Sequence, residues 1–151
     1  MKAGRDYAVP GETDRTKHIA TQRLKKMAAA DLQRLRVLEE AFSSGLVQCV
    51  TCPTIHPFNS VEMHGGHFIS RQFSGALFVE DNIWPQCAGC NWGKRGNISE
   101  YERFLTATLG LERVLELKRL PREPSKLHRY QIVEMRRSYA ARTKEQRRRL
   151  A

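Results

Sequence analysis

Four cysteines fall in two pairs, Cys49-Val50-Thr51-Cys52 and Cys87-Ala88-Gly89-Cys90. A two-residue spacer lets both thiolates of a pair turn toward one ion, so the pairs together supply the tetrahedral S4 set that zinc favours. A thioredoxin-like redox motif would need one such pair beside a βαβ pattern, which this chain lacks. The reading is a structural Zn2+ on Cys49, Cys52, Cys87 and Cys90, with His56 a loop histidine because four thiolates already satisfy the ion. The spacer from Pro53 through Gln86 holds 34 residues, more than the roughly 15 to 20 between knuckles of a plain zinc ribbon. Something is inserted there.

The insert carries His64-Gly65-Gly66-His67-Phe68-Ile69-Ser70-Arg71 and then Asp81-Asn82, while Asn91 and Lys94 follow the second pair. This order, over about Cys49 to Asn97, resembles the HNH or ββα-metal nucleases. More closely, Cys49-Val50-Thr51-Cys52, Ile55-His56-Pro57, Met63 to Arg71, Asp81-Asn82 and Pro85 to Asn91 are similar to the phage NinG (Rap) recombination proteins. The resemblance implies a metal-dependent endonuclease that cuts branched recombination intermediates such as Holliday junctions or D-loops. It also implies a homodimer making paired cuts in the cytoplasm of a bacterial host.

Phosphodiester hydrolysis needs a base to deprotonate water, a divalent cation to stabilise charge on the phosphate and leaving oxygen, and a scaffold holding both. His67 is the candidate base, since an unperturbed imidazole is mostly neutral at pH 7 and a polar group or backbone carbonyl would hold its tautomer. Asn82 pins the intervening loop. Asn91 offers a carbonyl oxygen to a hard cation, and Lys94 reaches a phosphate one turn later. One departure stands out: many HNH nucleases carry an Asp or His immediately before the catalytic His, and here that position is Gly66. Residues i and i+2 of a strand share a face, so His64 is the first substitute ligand and Asp81 the second. A His and Asn pair accepts manganese, nickel or cobalt as well as magnesium, so the expected catalytic ion is Mg2+ or Mn2+. Arg71 and Arg95 flank the groove as candidate phosphate contacts. Trp84 and Trp92 receive no role.

These residues need elements to position them. The periodic Leu24, Met27, Ala28, Leu32, Leu35, Leu38 and Phe42 predict one long helix from about Asp14 to Phe42 that stops at Gly45. Its narrow stripe suits either this chain's own core or a coiled-coil seam with a second copy. Short stretches at Leu46 to Val50, His67 to Arg71 and Ala76 to Val79, broken by Pro and Gly, read as hairpin and loop. Helix returns near Cys87 and restarts at Ser99, where Ser99 to Glu102 has the form of a capping box. Gly110 breaks it. Leu111 to Leu120 forms a further helix ending at Pro121, and a last helix runs from Pro124 to about Arg149.

The length of 151 residues supports one core with appendages. The expected class is α+β: an N-terminal helical dimerisation segment over 1–45, a zinc-stapled core over 46–110 and a basic helical DNA-binding arm over 111–151. The net charge of +10 suits a polyanionic partner, and residues 118–151 carry twelve basic and three acidic groups against five and seven in residues 45–117. Arg136, Arg137, Arg142, Lys144, Arg147, Arg148 and Arg149 on the last helix are the expected DNA grip. No apolar run reaches membrane-span length, the first thirty residues lack a signal-like apolar region, and no motif points to a small-molecule cofactor. Two rival readings remain, an HNH nuclease acting on linear duplex and a zinc-ribbon DNA-binding module without activity.

Overall fold

The computed structural model describes residues 18–120 and 126–151. The expected helix start at Asp14, the stop at Pro121 and the start at Pro124 lie outside the described residues. An alanine-, leucine- and lysine-rich stretch without Gly or Pro forms α1 (Thr21–Glu39). Two antiparallel pairs follow: β1 (Leu46–Gln48) with β2 (Ile55–Pro57), and β3 (Met63–His67) with β4 (Ile83–Cys87). A π-helical turn (Gly89–Gly93) leads into α2 (Ile98–Leu109), α3 (Leu111–Lys118) and α4 (Arg129–Leu150). Among the described residues no helix is long and apolar enough to cross a membrane.

The apolar stripe of α1 is spent inside this chain. Leu24, Ala28, Leu32 and Leu35 are all fully buried, the first two against Ile132 and Val133 of α4, the second two against Ile83 of β4 and Tyr139 of α4. Val37 and Ala41 join Val47, Met63 and the cysteines, and Phe68 and Trp84 pack with Tyr101, Leu105, Val114 and Leu117 of α2 and α3. Of the two readings of the stripe, this chain's own core and a seam with a second copy, the packing of α1 is that of the core. Intramolecular closure by α4 buries the same stripe without the entropy loss of association. The helix is also shorter than predicted: it ends at Glu39, and Phe42 lies beyond it, 52% exposed.

The C-terminal helix likewise folds back. Arg136 Nε donates to Asp31 at 2.7 Å, while Arg142 reaches both Glu39 and Glu80 at 2.6 Å. Arg149 Nη2 donates to the carbonyls of Leu38 (3.1 Å) and Ala41 (2.9 Å), tying the end of α4 to the last turn of α1 and the residues just beyond it. Arg142 and Arg136, both expected as DNA contacts, are thus engaged by carboxylates on α1 and before β4.

Three local expectations also change. Ala76 to Val79 is not a strand; a 3-10 turn at Ser74–Ala76 begins that segment, and the strand is Ile83–Cys87, buried throughout, where helix was expected from Cys87. The preceding strand comes earlier than His67 to Arg71, running through Gly65 and Gly66, because close packing replaces their missing side chains. The Ser99 capping box is absent: the N-cap is Asn97 (φ +46°), whose side chain turns to the Thr51 carbonyl at 3.1 Å and Cys90 Sγ at 3.6 Å. Gly110, at φ +88°, does separate α2 from α3.

Leu32→Ala should lower unfolding free energy in a denaturant titration by about 2–5 kcal/mol, as core truncations do, without changing the oligomeric state in light scattering. A dissociated yet stable variant would restore the seam.

Candidate functional site

The site is organised by a glycine pair in β3. A Cβ at Gly65 would sit 2.5 Å from the Gln33 carbonyl oxygen, and one at Gly66 would overlap the Gln86 side chain. Gln33 Nε2 donates to the Gly65 carbonyl at 2.7 Å and Tyr101 Oη to the Gly66 carbonyl at 2.8 Å, so the strand is held from α1 on one side and α2 on the other. Gln86 is fully buried; its Nε2 donates to Thr51 Oγ1 (3.1 Å) and the Gly96 carbonyl (2.8 Å), leaving its Oε1 against Gly66 with no N–H or O–H partner. Residue 66 therefore has no room for the ligand that HNH-type patterns place there.

The two ends of this hairpin carry different groups. Met63 pairs with Cys87 and His64 with Gln86, so His64 stands beside the second cysteine knuckle, whereas His67 pairs with Ile83 at the far end. Strand alternation puts Met63, Gly65 and His67 toward α1 and puts His64 and Gly66 on the opposite face.

At the knuckles, the Sγ atoms of Cys49, Cys52, Cys87 and Cys90 all lie within 4.8 Å of one another, with Cys52 and Cys87 at 3.6 Å. A tetrahedron with 2.3 Å Zn–S bonds has edges of about 3.8 Å, so the residues fit zinc. Burial pushes the Cys87 thiol up to about 12; burial opposes ionisation of Cys52 too, but hydrogen bonds with Thr54, Cys49 and Cys87 together outweigh it and bring that thiol down to about 6. Thiols this close ionise together only when a cation compensates them. Thr51 Oγ1 at 3.3 Å from Cys49 Sγ and the Asn97 amide at Cys90 orient the sulfurs from outside.

His64 and Asn91 meet above this cluster. Carbonyl oxygens only accept, so His64 Nε2 must carry the proton it donates to Val61 at 2.7 Å, and its Nδ1 lone pair accepts from Asn91 Nδ2 at 3.3 Å. Both imidazole nitrogens are thereby engaged; turning the Asn91 amide over would free the Nδ1 lone pair and bring Asn91 Oδ1 beside it, one nitrogen and one oxygen for a divalent cation, with water or phosphate oxygens left to complete its shell. Asp81, the other substitute, is elsewhere: its carboxylate accepts from Arg113 Nε of α3 at 2.8 Å, and it does not line the groove that holds His64.

His67 is partly buried, and its Nε2 lies 3.4 Å from the Leu77 carbonyl, which assigns the proton to Nε2 and leaves Nδ1 as the basic nitrogen. Burial lowers its pKa to about 4; the bond to that carbonyl opposes the shift and Arg71 adds a smaller push in the same direction as burial. Asn82 is fully buried and spans the loop, accepting from the Ile69 N–H at 2.7 Å and donating to the Ile69 (3.0 Å) and Ala76 (3.2 Å) carbonyls.

His64, His67 and Asn91 line one open groove of about 1620 Å³. Arg71 and Arg95 line it from the hairpin side, and Arg136, Arg137, Lys144, Arg147 and Arg148 from α4. Arg137 pairs with Glu134 at 3.0 Å and Arg148 with Glu145 at 3.6 Å, both on the exposed surface where such pairs are weak. Lys94 is exposed but does not line the groove. Sequence reasoning missed Gln33, Gln86 and Tyr101; the available signal was the Gly-Gly doublet inside a strand, which marks close approach by other groups.

The family model described as Bacteriophage Lambda NinG protein matches residues 14–149. The chain belongs to the NinG family. It is similar to "Protein ninG" of Escherichia phage lambda, at 34% identity over 71 residues, which cover 46% of this chain and 33% of that relative. The match thus spans about a third of the relative's length. No solved structure matches. In this NinG-family chain, the matched region covers all the described residues but the last two, including the cysteine cluster.

Two outcomes follow. Purified protein should carry one tightly held zinc per chain by metal analysis, chelation should lower the thermal midpoint markedly, and Cys87→Ser should yield little soluble folded protein; a zinc-free protein with an unchanged midpoint rejects the centre. The second concerns pH. His67 takes its proton near 6.5 when unfolded and near 4 when folded. Between these values only the unfolded chain binds it, so the folded state keeps full stability above 6.5 and loses it as pH falls toward 4, by on the order of 3 kcal/mol at most. His67→Gln should flatten that part of a stability–pH curve, and an identical curve would show that the imidazole is not held neutral.

Proposed function

We propose that this chain is a metal-dependent, structure-specific DNA endonuclease of the HNH type that acts on branched recombination intermediates. The observation that carries the reading is the shared groove, whose lining includes a histidine held neutral, the His64–Asn91 pair and a row of basic side chains. NinG-family membership supports a role in recombination, and the antiparallel β3–β4 pair followed by a helical turn bearing Asn91 agrees with a ββα-metal arrangement.

In this mechanism a phosphate backbone lies along the arginines of the groove, whose charge offsets its own. His67 Nδ1 accepts a proton from a water molecule, whose oxygen attacks phosphorus as the bond to the leaving oxygen breaks. Its low pKa keeps Nδ1 free at neutral pH, and Asn82 holds the loop whose Leu77 carbonyl sets the tautomer. A Mg2+ or Mn2+ ion held by His64 and Asn91 would stabilise charge on the phosphate and leaving oxygen. Paired cuts in a four-way junction require two such sites. A homodimer providing them must use a surface other than the apolar face of α1, which α4 covers. The rival reading of a zinc-held DNA-binding module without activity draws on Gly66, whose position excludes a third ligand.

The test is cleavage of end-labelled four-way junction and matched linear duplex with magnesium or manganese. Wild type should cut the junction preferentially. His67→Ala should lose about 10²–10⁴-fold in rate with DNA affinity nearly unchanged, and Asn91→Ala should need more metal. Wild-type turnover by His67→Ala, or no product with any divalent ion, rejects the nuclease.

A further inference from the structure

The chain has two tryptophans, and the structure treats them oppositely. Trp84 is core: it is 9% exposed, its Nε1 donates to the Asp81 carbonyl at 2.9 Å, and its ring meets Phe104 edge-on with the Arg36 guanidinium 4.7 Å from its centroid. Trp92 is 69% exposed on the π-helical turn directly after Asn91, and it lines the basic groove. Its ring meets His64 edge-on, with centroids 4.4 Å apart and planes at 61°. That contact steadies the indole beside the donor pair while leaving most of its surface in water.

We propose that Trp92 is a stacking platform for an unpaired nucleobase, seated next to the phosphate that the groove holds at His64 and Asn91. The inference rests on the nucleic-acid reading of the groove and adds the source of its preference for distorted DNA. An indole face stacks on any base, so it contributes affinity without reading sequence. In intact duplex the faces of the bases are already covered by their neighbours. A base reaches Trp92 only where it is unpaired or can be extruded, and that costs least at a branch point, bulge or mismatch. Arg71 and Arg95, which line the same groove, supply the phosphate contacts that bring such a strand alongside. Stacking is non-ionic, so its share of the binding should not depend on salt, unlike theirs.

The experiment uses the full chain, without added divalent ions, and two probes: a short duplex carrying a bulge of unpaired thymines and the same duplex fully paired. Affinity is read by polarisation across a salt series, and tryptophan emission is followed in parallel. The bulged duplex should bind more tightly, by about ten-fold or more from one stacked base, and should quench the solvent-exposed part of the emission. Trp92→Ala should bring the bulged-to-paired affinity ratio close to one and remove that quenching, with an unchanged slope of log affinity against log salt. Trp92→Phe, which keeps an aromatic face, should retain most of the ratio. Equal affinity of the wild type for both probes, an unaltered ratio in Trp92→Ala, or emission unmoved at saturation would overturn the platform while leaving DNA binding intact. Failure to bind either duplex would overturn both the platform and the nucleic-acid reading beneath it.

Discussion

The arrangement of this molecule depends on a strand that carries no side chains where it is pressed from both sides. At Gly65 the backbone of α1 approaches too closely for a Cβ, and at Gly66 the Gln86 side chain fills the space a Cβ would take. Carbonyls exposed by that approach are each claimed by a donor, from Gln33 and from Tyr101. The pinned backbone fixes where His64 and His67 emerge at either end. It also explains the departure from the HNH pattern at residue 66, since a carboxylate there would have to displace a fully buried glutamine. The unpartnered Gln86 Oε1 is the cost of this packing, the sole buried side-chain polar atom without a hydrogen bond among the described residues.

Around the hairpin, charge divides into two populations. Arg36 is buried, with its Nε donating to the Ile83 carbonyl at 3.1 Å and its remaining nitrogens on Glu39 and Glu40, so it couples α1 to β4. Arg136, Arg142 and Arg149 couple α1 to α4 in the same manner. The partner carboxylate Glu80 is held below its ordinary pKa mainly by Arg142. Lys144, Arg147 and Arg148 instead stand exposed along the groove. A helix with large net positive charge thus keeps its fold through a few partly buried pairs and leaves the remainder exposed along the groove.

The cysteine cluster joins elements that have little core of their own. The first knuckle lies between β1 and β2, strands of three residues each, and the second follows the end of β4. A metal bridging them would close the long insert at its base and anchor one end of the hairpin that carries His64 and His67, which α1 holds along its length. Asn91 follows Cys90 directly, which ties the position of the donor pair to the integrity of the knuckle.

The sequence alone determined the features whose physics is local. Two Cys-x-x-Cys pairs define a tetrahedral S4 set by spacing, and the structure gathers those four sulfurs. Gly110 was legible as a helix break because it adopts a backbone conformation few other residues tolerate. Asn82 was readable as a loop pin, and its three hydrogen bonds span that loop. Other features were decided only by tertiary structure. A helical period shows which face of α1 is apolar, but the stripe has the same pattern whether α4 or a second chain covers it. Composition counts the arginines of α4, but which of them meet Asp31, Glu39 and Glu80 depends on residues more than sixty positions away. The same holds for the two tryptophans, one enclosed by α2 and the other left in the groove, because burial is set by what the rest of the chain places against a side chain.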